Sequence, residues 1–469
     1  MHNATYPLSP DCVGGEGWGE GAAPRTADSL QKRDVLPPHP TLSPKRGWGR
    51  GVASLMLILL WTLLSLSAFA QNPDPGAPVP GTTLDVSLIT FGPGTEVWER
   101  FGHNAIMIHD RRTSTSRLYN YGIFDFDQKD FFLNFARGRM TYRMAVGDAT
   151  EELPYYIEEG RWIVQQELAL TPAQKSKLAN FLDWNVRPEN QQYRYNYFEA
   201  NCSTKTRDAL DMAADGAIRA QTISPSRGFT YRMDVMRVMR PDPLLMVGMD
   251  AGLGPYADRR LTYWNESFLP TELMRHMREV FVVDPTTGER HSLVARETRL
   301  NDSRIPEPSE TPPSWLWGAL AVGIALALLI LALARAHANA LARVTLATLG
   351  VFIDLVLGLG GLVLLALWFL TDHTSAWRNE NLFLLDPLCL LLIPVWIGAF
   401  RRRWSPSPFA RYITLFIALI AGVAWFAKVF PWFIQDNKFW IALLLPVHVA
   451  FALVVWMRTG RPAEFSNLS

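Results

Sequence analysis

The sequence predicts an α+β domain on the exported side of a membrane, followed by an all-α membrane domain of five transmembrane helices. Three observations predict it. Residues 53–70 carry a signal-peptide pattern, residues 315–457 hold five apolar runs of spanning length, and residues 84–300 mix alternating apolar stretches, aromatic clusters and charged turns. Only 19% of the 469 residues are charged, below the ~25% of ordinary soluble domains. With 25 Phe and 17 Trp, a disordered chain is excluded. The near balance of 45 basic and 44 acidic residues leaves no electrostatic case for nucleic acid. Three cysteines, Cys12, Cys202 and Cys389, exclude a disulfide framework and a Cys-based zinc site.

The stretch ASLMLILLWTLLSLSAFA follows Lys45, Arg46 and Arg50 and ends in Ala68-Phe69-Ala70, a small-residue cleavage pattern before Gln71. Such a segment belongs near a chain start. Residues 1–52 instead show no helical or strand period and a crude Gly/Trp repeat (8–21 and 42–51). They are expected to be a non-native extension, with initiation near Val52 or Met56. A Pro/Gly linker over 71–83 precedes the exported domain of 84–300, and a Pro-rich linker over 301–314 follows it.

The spans are expected at about 315–334, 345–370, 382–400, 410–428 and 439–457, each near the ~20 apolar residues a bilayer requires. The second carries Asp354 with Gly358, Gly360 and Gly361, which predicts a tilt or kink, with Asp354 packing or snorkelling. Loops and tail on one side hold eight Arg/Lys against three on the other. The positive-inside rule therefore places residues 84–300 in the periplasm and the 458–469 tail in the cytoplasm of a bacterial inner membrane.

Cys202 lies in NYFEANCSTKTRDAL, where an extended approach gives way to a helical pattern capped by Asn201 or Ser203. At a helix N-terminus, free N–H groups and the helix dipole favour a thiolate, and the same N–H groups can bind an oxyanion. A buried, inert cysteine fits the segment equally. A thiol nucleophile needs a base. Of His103, His109, His276 and His291, His103 is the best candidate, at a strand start behind Gly102, although a packed or surface role fits it too. His109 reads as surface and His276 as solvated. Leu118–Tyr121 alternates as a neighbouring strand, from which Asn120, or else Asp125, would orient the imidazole. Phe124, Phe126, Phe131, Phe132 and Phe135 read mainly as core. Arg137 and Arg139 fit a surface role or contact with a phosphate or carboxylate.

The order His, then about 100 residues, then Asn-Cys opening a helix resembles the circularly permuted branch of the NlpC-type papain-like fold, which includes lecithin:retinol acyltransferase. A closer resemblance is to the periplasmic domain of Lnb-type lipoprotein N-acyltransferases. It rests on ERFGHNAI (99–106), YNYGIFDF (119–126), NFARGRMTY (134–142), YRYNYFEANCSTKTRD (193–208), SRGFTYR (226–232) and FLPTEL (268–273). The loop TDHTSAWRNENLFLLDPL (371–388) resembles the family's segment before its next membrane helix.

The resemblance implies catalysis by Cys202 and His103, to which the strand reading adds Asn120 as the third member; substrate contacts are expected at Asn201, Arg137, Tyr142, His373, Asn379 and Asn381. The last three would bind a lipid head group or cap the third span. It further implies a phospholipid acyl donor, a lipoprotein acceptor, and neither metal nor soluble cofactor. Two rivals stay open: a periplasmic cysteine peptidase or amidase acting on cell-wall peptides, and a non-catalytic envelope scaffold.

Overall fold

The computed structural model describes residues 79–284 and 287–458. The signal-peptide pattern, the suspected start, most of the first linker and the tail beyond Arg458 lie outside the described residues.

Seven antiparallel strands form the frame of the exported domain. They are β1 (Leu84–Phe91), β2 (His103–Asp110), β3 (Thr115–Ile123), β4 (Thr141–Asp148), β5 (Ile163–Leu168), β6 (Gln192–Arg194) and, after four short strands β7–β10 that pair outside this sheet, β11 (Val294–Asn301). The order is β11–β5–β1–β2–β3–β4–β6. Successive strand side chains point to opposite faces. Leu88, Ile106 and Tyr119 therefore build one core, with Leu178 and Leu182 of helix α3 (Pro172–Asn185) and Ala209 and Leu210 of α4 (Cys202–Ala213). Ile89, Phe91, Ala105 and Leu118 build the other, with Tyr156 of α2 (Ala149–Glu158). The register sets Phe91 opposite His103 and Ala105 opposite Asn120. A short helix α1 (Phe131–Ala136) crosses between β3 and β4.

Among the described residues, four helices are long and apolar enough to cross a membrane. After the intervening short helices α5–α9 these are α10 (Leu316–Arg335), α11 (Ala340–Phe369), α13 (Pro408–Phe426, extended by one turn to Val429) and α14 (Lys438–Arg458). Sequence reasoning expected a continuous third span. Instead, Thr374–Phe383 and Pro387–Gly398 form a pair bent by 44°. The cause is local: Asp386 caps the second segment and Pro387 opens it, so no helical hydrogen bond continues across the break.

The second span, expected to tilt or kink, is one helix, α11, unbroken over 30 residues. Its glycines serve close packing. A β-carbon at Gly350 would fall 2.4 Å from the Trp396 ring, and one at Gly361 2.3 Å from the Leu385 carbonyl. Asp354 is fully buried and accepts from Trp396 Nε1, so it packs rather than snorkels.

The exported domain is bolted to the outer end of these helices. Helix α7 (Pro243–Gly252) ends on the loop after α11: Asn379 Nδ2 donates to the carbonyls of Ala251 (2.8 Å) and Gly252 (3.0 Å), and Gly254 N–H donates to the Ser375 carbonyl (2.8 Å). Nearby, Asp372 accepts from Arg139 Nε (3.0 Å) and from an Arg194 terminal nitrogen (2.7 Å).

Candidate functional site

Cys202 is the first residue of α4, and Asn201 is its cap. Asn201 Oδ1 accepts from Thr204 N–H (2.9 Å), while Thr204 Oγ1 accepts from Asn201 N–H (2.8 Å). This reciprocal box satisfies helix donors that would otherwise be orphaned. Asn201 Nδ2 donates to the carbonyls of Tyr197 (3.0 Å) and Phe268 (2.9 Å). All its polar atoms are thus spent on the fold, and it positions Cys202 rather than offering a substrate contact.

The backbone N–H groups of Asn104, Ser203 and Cys202 itself lie near enough to the Cys202 sulfur to favour its charged form. Strand β3 presses against it: at Gly122 the backbone takes φ +91°, and a β-carbon there would sit 3.3 Å from Cys202 Cβ. The residue pairing skips here between Asn120 and Ile123, which leaves room for the approach.

His103 opens β2, next to the Asn104 amide that touches the sulfur. Its Nε2–H donates to Asn120 Oδ1 at 3.0 Å, and Asn120 Nδ2 donates to Glu152 Oε2 of α2 at 2.8 Å. The carboxylate can only accept, so it orients the amide. The amide oxygen can likewise only accept, so it holds the proton on Nε2 and leaves the lone pair on Nδ1. Phe91 and Tyr156 stack on the imidazole, with centroids 5.8 Å and 6.5 Å away. The Arg161 guanidinium, 4.9 Å over the Tyr156 ring, acts electrostatically on both His103 and Cys202.

Burial governs the protonation states. It drives His103 down to about 4, opposed in part by the Asn120 hydrogen bond. It raises the Cys202 thiol, against the lowering effect of the three N–H donors. The sequence suggested a helix-stabilised thiolate; here desolvation raises the Cys202 thiol more than its N–H neighbours lower it. Burial also lifts Glu152 to about 7.

The Glu152 shift has a consequence for stability. Between the usual 4.5 and about 7, the folded protein binds this proton more tightly than the unfolded chain does. The contribution of Glu152 to stability therefore weakens as pH rises across that window. Replacing Glu152 by Gln removes the titration and keeps an acceptor for Asn120. In detergent, its melting temperature relative to the native protein is expected to be higher at pH 8 than at pH 5. Equal differences at the two pH values would refute the assignment.

The other expected site residues divide. The Tyr142 ring stacks on Tyr195 (4.1 Å) and Phe124 (5.1 Å), and Tyr195 lies within electrostatic reach of Cys202, so Tyr142 borders the site. Arg137 is exposed at the end of α1, and its carbonyl accepts from Asp372 N–H. His373 Nε2 bonds the Phe135 carbonyl (3.0 Å) and its ring stacks on Tyr197.

Asn379 and Asn381 do not reach the thiol site. Both are buried, and their Nδ2 groups are committed to carbonyls at the end of α7, Asn381 bonding Ala251 at 3.1 Å. Of the two expected roles, capping is met at Asn379, whose Oδ1 accepts from Asn381 N–H (2.9 Å) at the start of Glu380–Phe383, while the amide nitrogens of both join the two domains. Asp125, the second choice as orienter, is exposed and accepts from Asp127 N–H. His276 is not solvated, since its Nε2 bonds Glu266 at 3.0 Å.

Glu266, Glu272 and His276 bring ligand-type atoms within 4.8 Å of one another. Arg227, Arg237 and Arg275 already occupy these carboxylates, so the cluster is charge-balanced without a cation. Sequence reasoning missed Glu152, Tyr156, Arg161 and Gly122. Among the four glutamates of EELPYYIEE (151–159), nothing local singles out the one that faces Asn120.

Residues 77–240 match the Lnb N-terminal periplasmic domain, and residues 319–460 match the Lnb transmembrane domain. No curated protein and no solved structure matches the chain. Both matched segments follow each other in the order found here, a periplasmic α+β domain and then the membrane helices, and together they span well over half of the chain. The protein therefore belongs to the Lnb-type family of membrane proteins with a periplasmic domain.

Proposed function

We propose that this protein is an inner-membrane thiol acyltransferase that moves a fatty acyl chain from a phospholipid to the N-terminal amine of a lipoprotein. One observation carries the reading: a cysteine at a helix N-terminus acted on by the backbone N–H of Asn104, the residue after His103, whose imidazole is held by an Asn–Glu pair. The His103 Nδ1 lone pair takes the thiol proton while Cys202 Sγ attacks the ester carbonyl. The C–S bond forms, the ester C–O bond breaks, and the imidazolium returns the proton to the departing alkoxide. The acceptor amine then attacks the thioester: the C–N bond forms, the C–S bond breaks, and His103 takes the amine proton and passes it to the leaving sulfur, regenerating the thiol. The N–H groups of Asn104, Cys202 and Ser203 stabilise the oxyanion of each tetrahedral intermediate. The His103 imidazole carries the proton in each step of this scheme.

The membrane domain supports a lipid substrate over a cell-wall peptide, because Asp372 and Asn379 lock the thiol domain against the outer ends of the helices. The test is intact-mass spectrometry of the purified full chain incubated with phospholipid vesicles. A hydroxylamine-labile acyl adduct on Cys202, which discharges onto a lipopeptide with a free N-terminus, is the expected result. Cleavage of wall peptides with no adduct would establish the amidase instead.

Gly122 provides a further check. A side chain at φ +91° costs about 1–2 kcal/mol and must also displace the Cys202 side chain. Gly122→Ala is expected to slow adduct formation by about tenfold or more. An unchanged rate would show that the close approach has no bearing on the sulfur.

A further inference from the structure

The aromatic run that sequence reasoning assigned mainly to core does not all go there. Phe131 is buried, but Phe132 is 73% exposed, and Leu133 and Phe135 are 47% and 44% exposed. These exposed side chains lie on α1, and the neighbouring Phe126 and Trp98 extend the patch, with ring centroids 6.0 Å apart. The position of α1 is set by the membrane domain. Its Phe135 and Arg137 carbonyls bond His373 and Asp372, only a few residues past the end of α11 at Phe369. Phe369 and Leu370 are themselves 68% and 75% exposed, as expected of side chains that meet lipid. Helix α1 therefore sits at the level where a spanning helix leaves the hydrocarbon. This is the depth that amphipathic aromatic segments favour.

From α1 inward, aromatic rings follow in contact. Phe132 meets Phe131 at 5.3 Å, Phe131 meets Phe124 at 6.1 Å, Phe124 meets Tyr142 at 5.1 Å, and Tyr142 meets Tyr195 at 4.1 Å. Tyr195 lies within electrostatic reach of Cys202.

We propose that α1 is a wedge inserted into the outer leaflet through Phe132, Leu133 and Phe135, and that the aromatic series behind it receives one acyl chain from the bilayer and leads its ester to Cys202. The chain path rests on the acyltransferase reading; the insertion of α1 does not. Asp125, Asp127 and Asp130 precede the helix, so insertion proceeds by apolar burial and not by attraction to anionic lipid.

The experiment separates the two parts. In the full chain carrying Cys12→Ser and Cys202→Ser, a bimane is placed by Phe132→Cys, or as a control by Ser114→Cys. Ser114 precedes β3 at its far end, nine residue steps or about 30 Å along the strand from Ile123, the end nearer α1. In phosphatidylethanolamine–phosphatidylglycerol vesicles, the residue 132 probe is expected about 5–10 Å below the head groups. It should be quenched by lipid spin-labelled near the glycerol and shielded from aqueous iodide, whereas the residue 114 probe shows the reverse. Equal iodide quenching at both positions would overturn the wedge.

With Cys202 restored, Phe132→Asp with Phe135→Asp is expected to reduce the acyl adduct formed from vesicle lipid by about tenfold or more, and Phe132→Leu with Phe135→Leu to recover it. Full adduct formation in the Asp pair would overturn the chain path. Lipid quenching at 132 in a protein that never forms an adduct would keep the wedge and discard the transferase.

Discussion

Cys202→Ala is expected to abolish the acyl adduct and to lower transfer to the lipoprotein amine by at least about 10³-fold, because covalent catalysis has no substitute nucleophile. Among the described residues the other free cysteine, Cys389, is buried within the membrane domain. The outcome is measured by intact mass and by N-terminal acylation of a lipopeptide in vesicles. Cys202→Ser separates geometry from chemistry. The hydroxyl fits the same N–H cage, so the protein should fold and bind lipid unchanged while the rate falls with the poorer nucleophile. Residual transfer near the native rate in Cys202→Ala would end the thiol mechanism.

His103→Ala is expected to cost a similar factor, about 10³-fold, since the half-buried thiol is pushed above its usual pKa and needs a base within the site. The native pH profile adds a sharper check. An imidazole is a base only when neutral, and burial holds that of His103 down to about 4. Adduct formation should therefore persist well below the usual imidazole value of 6.5 and fall only as pH approaches about 4. An acid limb near 6.5 would mean that the ring is solvated in the working enzyme. Asn120→Ala should leave the base in place but free its tautomer. The expected loss is smaller, about 10–10²-fold, and Asn120→Gln should not recover it, because the longer chain cannot bridge His103 and Glu152 at 3.0 and 2.8 Å.

The membrane helices were legible because an unbroken run of about twenty apolar residues matches the thickness of a bilayer and suits little else. The break at Pro387 was not, because its apolar flanks read as one run whether or not the backbone continues. Cys202, His103 and Asn120 could be nominated because each follows a local signal: a cap before a helix, a Gly before a strand, an alternating neighbour. That Asn120 lies beside the His103 strand followed from its alternation; that its amide faces the ring followed only from the register that sets Ala105 opposite Asn120.

Local sequence thus determined the two domain classes, the orientation in the membrane and the helix start that presents Cys202, since periodicity, caps and charge asymmetry act over a few residues. Tertiary structure alone decided that Glu152 completes the histidine chain and that Asn379 and Asn381 join domains instead of binding lipid. It alone placed α1 with Phe132 and Phe135 outward, and made burial prevail over the helix dipole at the sulfur. Each of these depends on what lies across a sheet or at a domain boundary, where desolvation and hydrogen-bond partners come from residues distant in the chain.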